Sequence, residues 1–150
     1  MSTKDFLKKI KDEDIEYVDV RFTDTRGKLK PVTIVSDLVD EDFVEEGFMF
    51  DGSSIAGWKS IEASDMKLML DTDTAYVDPF YAEKTICVHC SVVEPDTGEA
   101  YERDPRGTAQ KAEAYLKASG IGDVAYMGPE AEFFLFDNVK FSNSINKVSY

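Results

Sequence analysis

The sequence predicts an α+β fold, and three observations carry that expectation. Two segments near the N-terminus alternate apolar and polar residues and are joined by a Gly-containing turn, the pattern of a β-hairpin. A stretch of helical period follows. Beyond it lie several more segments of strand character, so that strand, strand, helix, then strands describes one helix laid across a mixed sheet.

The elements follow in order. Ser2 and Asp5 make a capping-box-like start, and Phe6, Leu7 and Ile10 form the apolar face of a short helix ending near Lys11. From Ile15 the period changes to two: Val18, Val20 and Phe22 alternate with Asp19, Arg21 and Thr23, a half-buried strand. Asp24-Thr25-Arg26-Gly27 turns the chain into a second strand over residues 28–35. Asp37 is expected to cap a second helix with Leu38, Val39 and Phe43 as apolar contacts and Gly47 as its end. The opposite face, Asp40, Glu41, Asp42, Glu45 and Glu46, reads as a solvated surface with no partner implied. Next come a strand at 48–50, a loop containing Gly52 and Gly57, a strand near 66–70 and a long strand at 85–93.

Residues 94–99 form a turn, and Asp104-Pro105 is an N-cap followed by proline at the first helical position. The helix should run to Gly120 with Ala109, Ala112 and Leu116 inward. A strand region at 124–136 and a polar segment at 143–146 complete the chain. One helix and one or two strands cannot close a core alone, so the sequence from 105 onward looks cut short.

Composition narrows the function. With 30 Asp+Glu against 17 Lys+Arg and one His, the formal net charge is -13 over 150 residues. A generic binder of nucleic acid or anionic membrane needs a basic footprint, so neither is expected as a partner. At 43% hydrophobic and 31% charged residues the chain is globular. No apolar run approaches the ~18 residues of a membrane span. Asp12, Glu13 and Asp14 stand where a signal peptide would place its apolar core, so cytoplasmic residence is the expectation. Cys87 and Cys90 fall three residues apart in one strand, which sets their Cα atoms about 10 Å apart, too far for a disulfide. Alternation puts Cys87 and His89 on one face and Cys90 on the other, so the three do not converge on a metal. Buried thiols are the expectation.

Two places can carry chemistry. Glu130 and Glu132, two apart in the strand-like run Gly128-Pro129-Glu130-Ala131-Glu132-Phe133-Phe134-Leu135-Phe136, would project from one face of a sheet. Side-by-side carboxylates repel, and a hard divalent cation, Mg²⁺ or Mn²⁺, relieves that cost; the alternative is the solvent side of a half-buried strand. Asp51, between an aromatic strand and a Gly/Ser loop, is placed to bind a cation or take its proton, or to form an Asx turn with the loop's own amides. Trp58, the only Trp, is either an exposed anchor for a ligand or neighbouring subunit or a folded-over core residue. The glycines fit neither the Walker pattern nor the dinucleotide fingerprint. Asp71-Thr72-Asp73-Thr74 opens like a calcium loop, but Ala75 and Tyr76 replace a ligand and the glycine.

Phe50-Asp51-Gly52-Ser53-Ser54, continuing through Ala63-Ser64-Asp65-Met66-Lys67-Leu68, resembles the N-terminal signature of glutamine synthetase of the bacterial type I class. Arg103-Asp104-Pro105-Arg106 and the Gly128 to Phe136 run appear in matching order and spacing, and the resemblance covers essentially the whole chain. It implies a β-grasp-like N-terminal domain over residues 14–98 and, over 105–150, the start of an incomplete α/β catalytic domain. It also implies ATP-dependent ligation of ammonia to L-glutamate through γ-glutamyl phosphate, with Mg²⁺ or Mn²⁺ as cofactor and ATP as substrate. Under it Glu130 holds the metal that engages the ATP phosphates and Glu132 the metal on the glutamate side. Asp51 then helps form the ammonium site in the active site of a neighbouring identical subunit, within a dodecamer in the intact enzyme. This chain alone is expected to be inactive. The rival readings are an acidic β-grasp interaction module that docks through residues 51–58 and a fragment of a related acid-amine ligase.

Overall fold

The computed structural model describes residues 1–150. In chain order its elements are α1 (Thr3–Asp12), β1 (Tyr17–Thr23), β2 (Leu29–Val35), α2 (Glu41–Glu46), β3 (Phe48–Asp51), β4 (Asp65–Asp78), β5 (Thr85–Val93), α3 (Pro105–Ser119), β6 (Ser142–Ser144) and β7 (Lys147–Ser149). The first five strands form one mixed sheet in the order β2-β1-β5-β4-β3, and β6 and β7 make a separate two-stranded hairpin. Within the large sheet β1 runs parallel to β5, while the β1/β2, β4/β5 and β3/β4 pairs are antiparallel. The α+β expectation therefore holds, with β1 and β5 in the centre.

Strand alternation sorts the central strands into two faces. Val18, Val20, Ile86, Val88, Cys90 and Val92 point to one side, where they meet Met66 and Leu68 of β4 and Phe6 and Ile10 of α1 in a single apolar core. Each fully buried side chain of this size contributes about 1.5–3 kcal/mol. The amphipathic face of α1 is read correctly by its period, and Ser2 caps its start, though without the reciprocal bond from the Ser2 N–H that a full capping box has. Asp5 N–H donates to Ser2 Oγ at 3.1 Å, and that hydroxyl donates to the Asp5 carboxylate at 2.6 Å. The hairpin turn is held by Asp24, whose Oδ1 accepts the N–H groups of Arg26 and Lys28 at 2.8 and 2.9 Å, with Gly27 at φ 77°.

Several expectations need correction. The second helix begins at Glu41, and Asp40 caps it by accepting the Phe43 N–H at 2.8 Å; Asp37 lies in a single 3-10 turn over Ser36–Leu38. Extended backbone at Val39 separates the two, which buries Val39 and leaves Leu38 exposed. Strand β4 is 14 residues long because a bulge between Asp71 and Tyr76 carries it past the polar 71–74 run. Thr74 fills the bulge: its Oγ1 accepts the His89 N–H at 2.9 Å and donates to the Asp71 carbonyl at 2.7 Å.

The strand expected at 124–136 does not form. A strand exists as part of a hydrogen-bonded ladder, and this stretch pairs with neither edge of the sheet, β2 or β3. Its residues are exposed and lack regular structure. Helix α3 starts at the Asp104 cap and ends at Gly120, φ 70°, as expected, but Ala109 and Ala112 are exposed. Contact with the sheet is made by its first turns, through Asp104, Arg106 and Gln110. The apolar side instead borders a groove shared with Ile121, Val124 and Met127 of the chain returning along it.

Candidate functional site

Asp51 closes β3, paired in register with Asp65 of β4. A side chain at the next residue would force its neighbours to shift: a Cβ at Gly52 would lie 2.6 Å from Met66 Cγ and Sδ and 3.0 Å from the Ser64 carbonyl. The Gly52 N–H donates to that same carbonyl at 2.7 Å, pressing the loop onto β4. The Asx turn anticipated from sequence is present. Asp51 Oδ1 accepts the Ser53 hydroxyl at 2.6 Å and the Ser53 N–H at 2.8 Å. The hydroxyl, then the amide, hold the Asp51 carboxyl below the usual carboxylate range, so it is an exposed anion at neutral pH.

The loop then folds back and buries Trp58, 5% exposed, which removes its reading as an exposed anchor. The indole packs among Phe22, Phe50 and Tyr101 at centroid distances of 5.4, 6.2 and 5.3 Å. Aromatic burial of this size outweighs what an exposed loop position would offer. Its Nε1 is buried without a hydrogen-bond partner. Three consecutive carbonyls of the loop accept bonds from outside it: Ala56 from Thr25 Oγ1 at 3.5 Å, Gly57 from Arg103 Nη1 at 2.5 Å, and Trp58 from the Tyr101 hydroxyl at 2.9 Å.

Glu130 and Glu132 are exposed and stand outside any strand, so the shared sheet face inferred from their spacing is absent. No three His, Cys, Asp or Glu side chains converge in a metal-binding group. Both glutamates carry hard oxygen donors of the kind Mg²⁺ or Mn²⁺ takes, and two carboxylates alone fall short of the roughly six ligands such a cation needs. The donor chemistry fits; further ligands must come from elsewhere.

Sequence reasoning missed a polar network on the second face of the sheet. Asp19 of β1 is 0% exposed, and its carboxylate accepts from Thr33 Oγ1 at 2.5 Å, Arg21 Nε at 3.0 Å and the Tyr81 hydroxyl at 3.3 Å. Arg21 continues to Tyr76 at 2.7 Å and Asp78 at 3.2 Å. The Asp19-x-Arg21 spacing, which puts opposite charges on one strand face, was the available signal. Burial raises the Cys87 thiol beside this network to about 11 and the core thiol of Cys90 to about 12. On the same face burial, with the Arg106 charge behind it, lowers the basicity of His89, and Arg106 pairs with Asp71.

A family model described as glutamine synthetase, beta-Grasp domain, matches residues 14–95, and one described as glutamine synthetase, catalytic domain, matches residues 102–150. The chain is 75% identical over 146 residues to a glutamine synthetase of Cereibacter sphaeroides, covering 97% of this chain and 31% of that protein. It is 70% identical over 149 residues to one of Rhodobacter capsulatus, covering 99% and 34%. The chain thus spans about a third of the length of these relatives. Among solved structures, a Plasmodium falciparum glutamine synthetase superposes with a TM-score of 0.72 at 24% identity, over 80% of this chain and 23% of that one, and shares the fold.

Proposed function

The chain belongs to the glutamine synthetase family, and from that premise we propose that it forms the front of a glutamate-ammonia ligase, with a β-grasp domain over residues 14–98 and the start of the catalytic domain over 105–150. The reaction joins ammonia to L-glutamate. A γ-carboxylate oxygen of glutamate attacks the terminal phosphorus of ATP, ADP leaves, and γ-glutamyl phosphate results. Ammonia then attacks the acyl carbon and phosphate leaves, giving L-glutamine.

The observation that supports this reading is the state of Asp51. An exposed carboxylate kept ionised by Ser53, on a loop whose carbonyls are tied down behind it, is a fixed negative charge that would attract ammonium; in this proposal it helps form the ammonium site and assists deprotonation there. We place Asp51 in the active site of a neighbouring identical subunit, in an assembly of twelve. Glu130 would hold the divalent cation facing the ATP phosphates and Glu132 the one facing glutamate. When bound, Mg²⁺ or Mn²⁺ supplies positive charge against the transferring phosphoryl group. With two carboxylate donors and no converging third, the 150-residue chain by itself is inactive in this proposal, and the whole protein works in the cytoplasm. Burial of Trp58 takes the one aromatic side chain off the 51–58 surface through which the rival module would dock.

The test replaces the matching stretch of the Cereibacter sphaeroides enzyme with these residues. Asp51→Ala should chiefly raise the ammonium KM, and Glu130→Gln or Glu132→Gln should weaken Mg²⁺ binding and turnover. Mixing Asp51 and Glu130 mutant subunits should restore activity; mixed oligomers that stay dead would remove Asp51 from the neighbour's site.

A further inference from the structure

We infer that Tyr101 and Arg103, which lie in the linker between β5 and α3, are positioning residues that set the reach of Asp51. This rests on the reading of Asp51 as the ammonium-site carboxylate. The loop from Gly52 to Trp58 is fastened at its front by its own Asx turn and at its back by bonds to three successive carbonyls. Two of the three donors come from the linker. Tyr101, 4% exposed, donates its hydroxyl to the Trp58 carbonyl and meets the indole edge-on, with ring centroids 5.3 Å apart at 64°. Arg103 donates to the carbonyl of Gly57, where φ is 83°. An arginine can hold a carbonyl at a left-handed glycine that no neighbouring backbone group reaches in the ladder.

Tyr101 is itself fixed. Its N–H donates to the Val92 carbonyl at 2.9 Å, and the Lys59 ammonium, paired with Glu94, lies 5.2 Å from its ring centroid. The linker therefore transmits the position of β5's end and of the α3 cap to the loop that bears Asp51. Movement of the segment leading into α3 pulls on carbonyls 57 and 58 first. That couples the geometry of the carboxylate to the helix entering the second unit, a connection with no counterpart in the Asx turn alone.

The test has two readouts. In the 150-residue chain, whose one Trp reports on the loop, Tyr101→Phe and Arg103→Ala should shift Trp58 emission to the red and increase its quenching by acrylamide. In the chimeric enzyme both should raise the ammonium KM by about 3- to 10-fold with the ATP KM unchanged, and Arg103→Lys should recover part of the loss. Asp51→Asn is the reference. If it raises the ammonium KM while the linker variants leave both emission and KM unchanged, the positioning role is overturned and the reading of Asp51 stands. Equal losses toward every substrate also overturn it, since a general structural defect acts that way. If Asp51→Asn leaves the ammonium KM unchanged, the reading of the site fails and this inference with it.

Discussion

Asp104 and Val92 are joined across the boundary between the sheet and α3: Asp104 Oδ2 accepts the Val92 N–H at 3.0 Å while Oδ1 accepts the Arg106 N–H at 3.0 Å. One carboxylate, 1% exposed, thus caps the helix and satisfies the backbone at the end of β5. The Arg106 ion pair with Asp71 adds a second tie between the same elements. Helix α3, largely exposed along its length, is oriented by its first turn.

Asp104→Ala removes both bonds at once. Loss of an N-cap costs about 1 kcal/mol and an orphaned buried N–H about 1–3 kcal/mol, so a loss of about 2–4 kcal/mol is expected in urea unfolding. Asp104→Asn keeps one good acceptor oxygen and should cost less. An alanine variant as stable as the parent would mean that water replaces both bonds.

Asp19→Ala strands Arg21 on the covered face of β1, with Asp78 as its remaining carboxylate. Breaking a buried pair by deleting one partner costs about 3–5 kcal/mol, and the surviving Asp78 contact points to about 3. Replacing the pair together, Asp19→Leu with Arg21→Met, should cost less than Asp19→Ala alone. The double variant therefore separates the worth of the pair from the penalty of an unpaired charge.

Local hydrogen bonding made much of the fold legible. The Ser2 cap, the Asp24 turn, the Asp104-Pro105 start and Gly120 are each decided within four residues of sequence. Asp37 was a reasonable cap, but four acidic residues stand at 37 and 40–42, and the extended backbone at Val39, which the sequence does not mark, selects Asp40. The length of β4 was hidden because the bulge breaks its period where the sequence turns polar. Residues 124–136 carry a strand's composition, yet strand formation depends on a partner that periodicity does not reveal. At the candidate site the Asx turn of Asp51 was readable from Asp51-Gly52-Ser53. The burial of Trp58 was not, because it depends on Phe22, Phe50 and Tyr101, brought together from three distant segments.

Both thiols should be silent in the fold. At pH 8 the native chain is expected to release no thiolate to a disulfide reagent, and two after unfolding. Burial favours the neutral thiol, so folded values near 11 and 12 stand above the unfolded value of about 8.5. The stability this contributes is whole below about pH 8.5 and is lost as pH rises toward the folded values. The melting temperature should therefore fall through that alkaline window, and Cys90→Ala should flatten part of the slope.

Gly52→Ala tests how tightly the Asp51 loop is seated. Its φ is ordinary, so backbone strain plays no part; the conflict is steric, with Met66 Cγ and Sδ at 2.6 Å and the Ser64 carbonyl at 3.0 Å. Met66 is fully buried and cannot swing into solvent, so overpacking should cost about 1–3 kcal/mol. The added methyl would also push against the carbonyl that accepts the Gly52 N–H, moving the residue next to Asp51. Pairing Gly52→Ala with Met66→Ala frees the space, so the double variant should lose less than the sum of the singles in urea unfolding. Strict additivity would mean that Ser64, through its backbone, is what excludes a side chain at position 52.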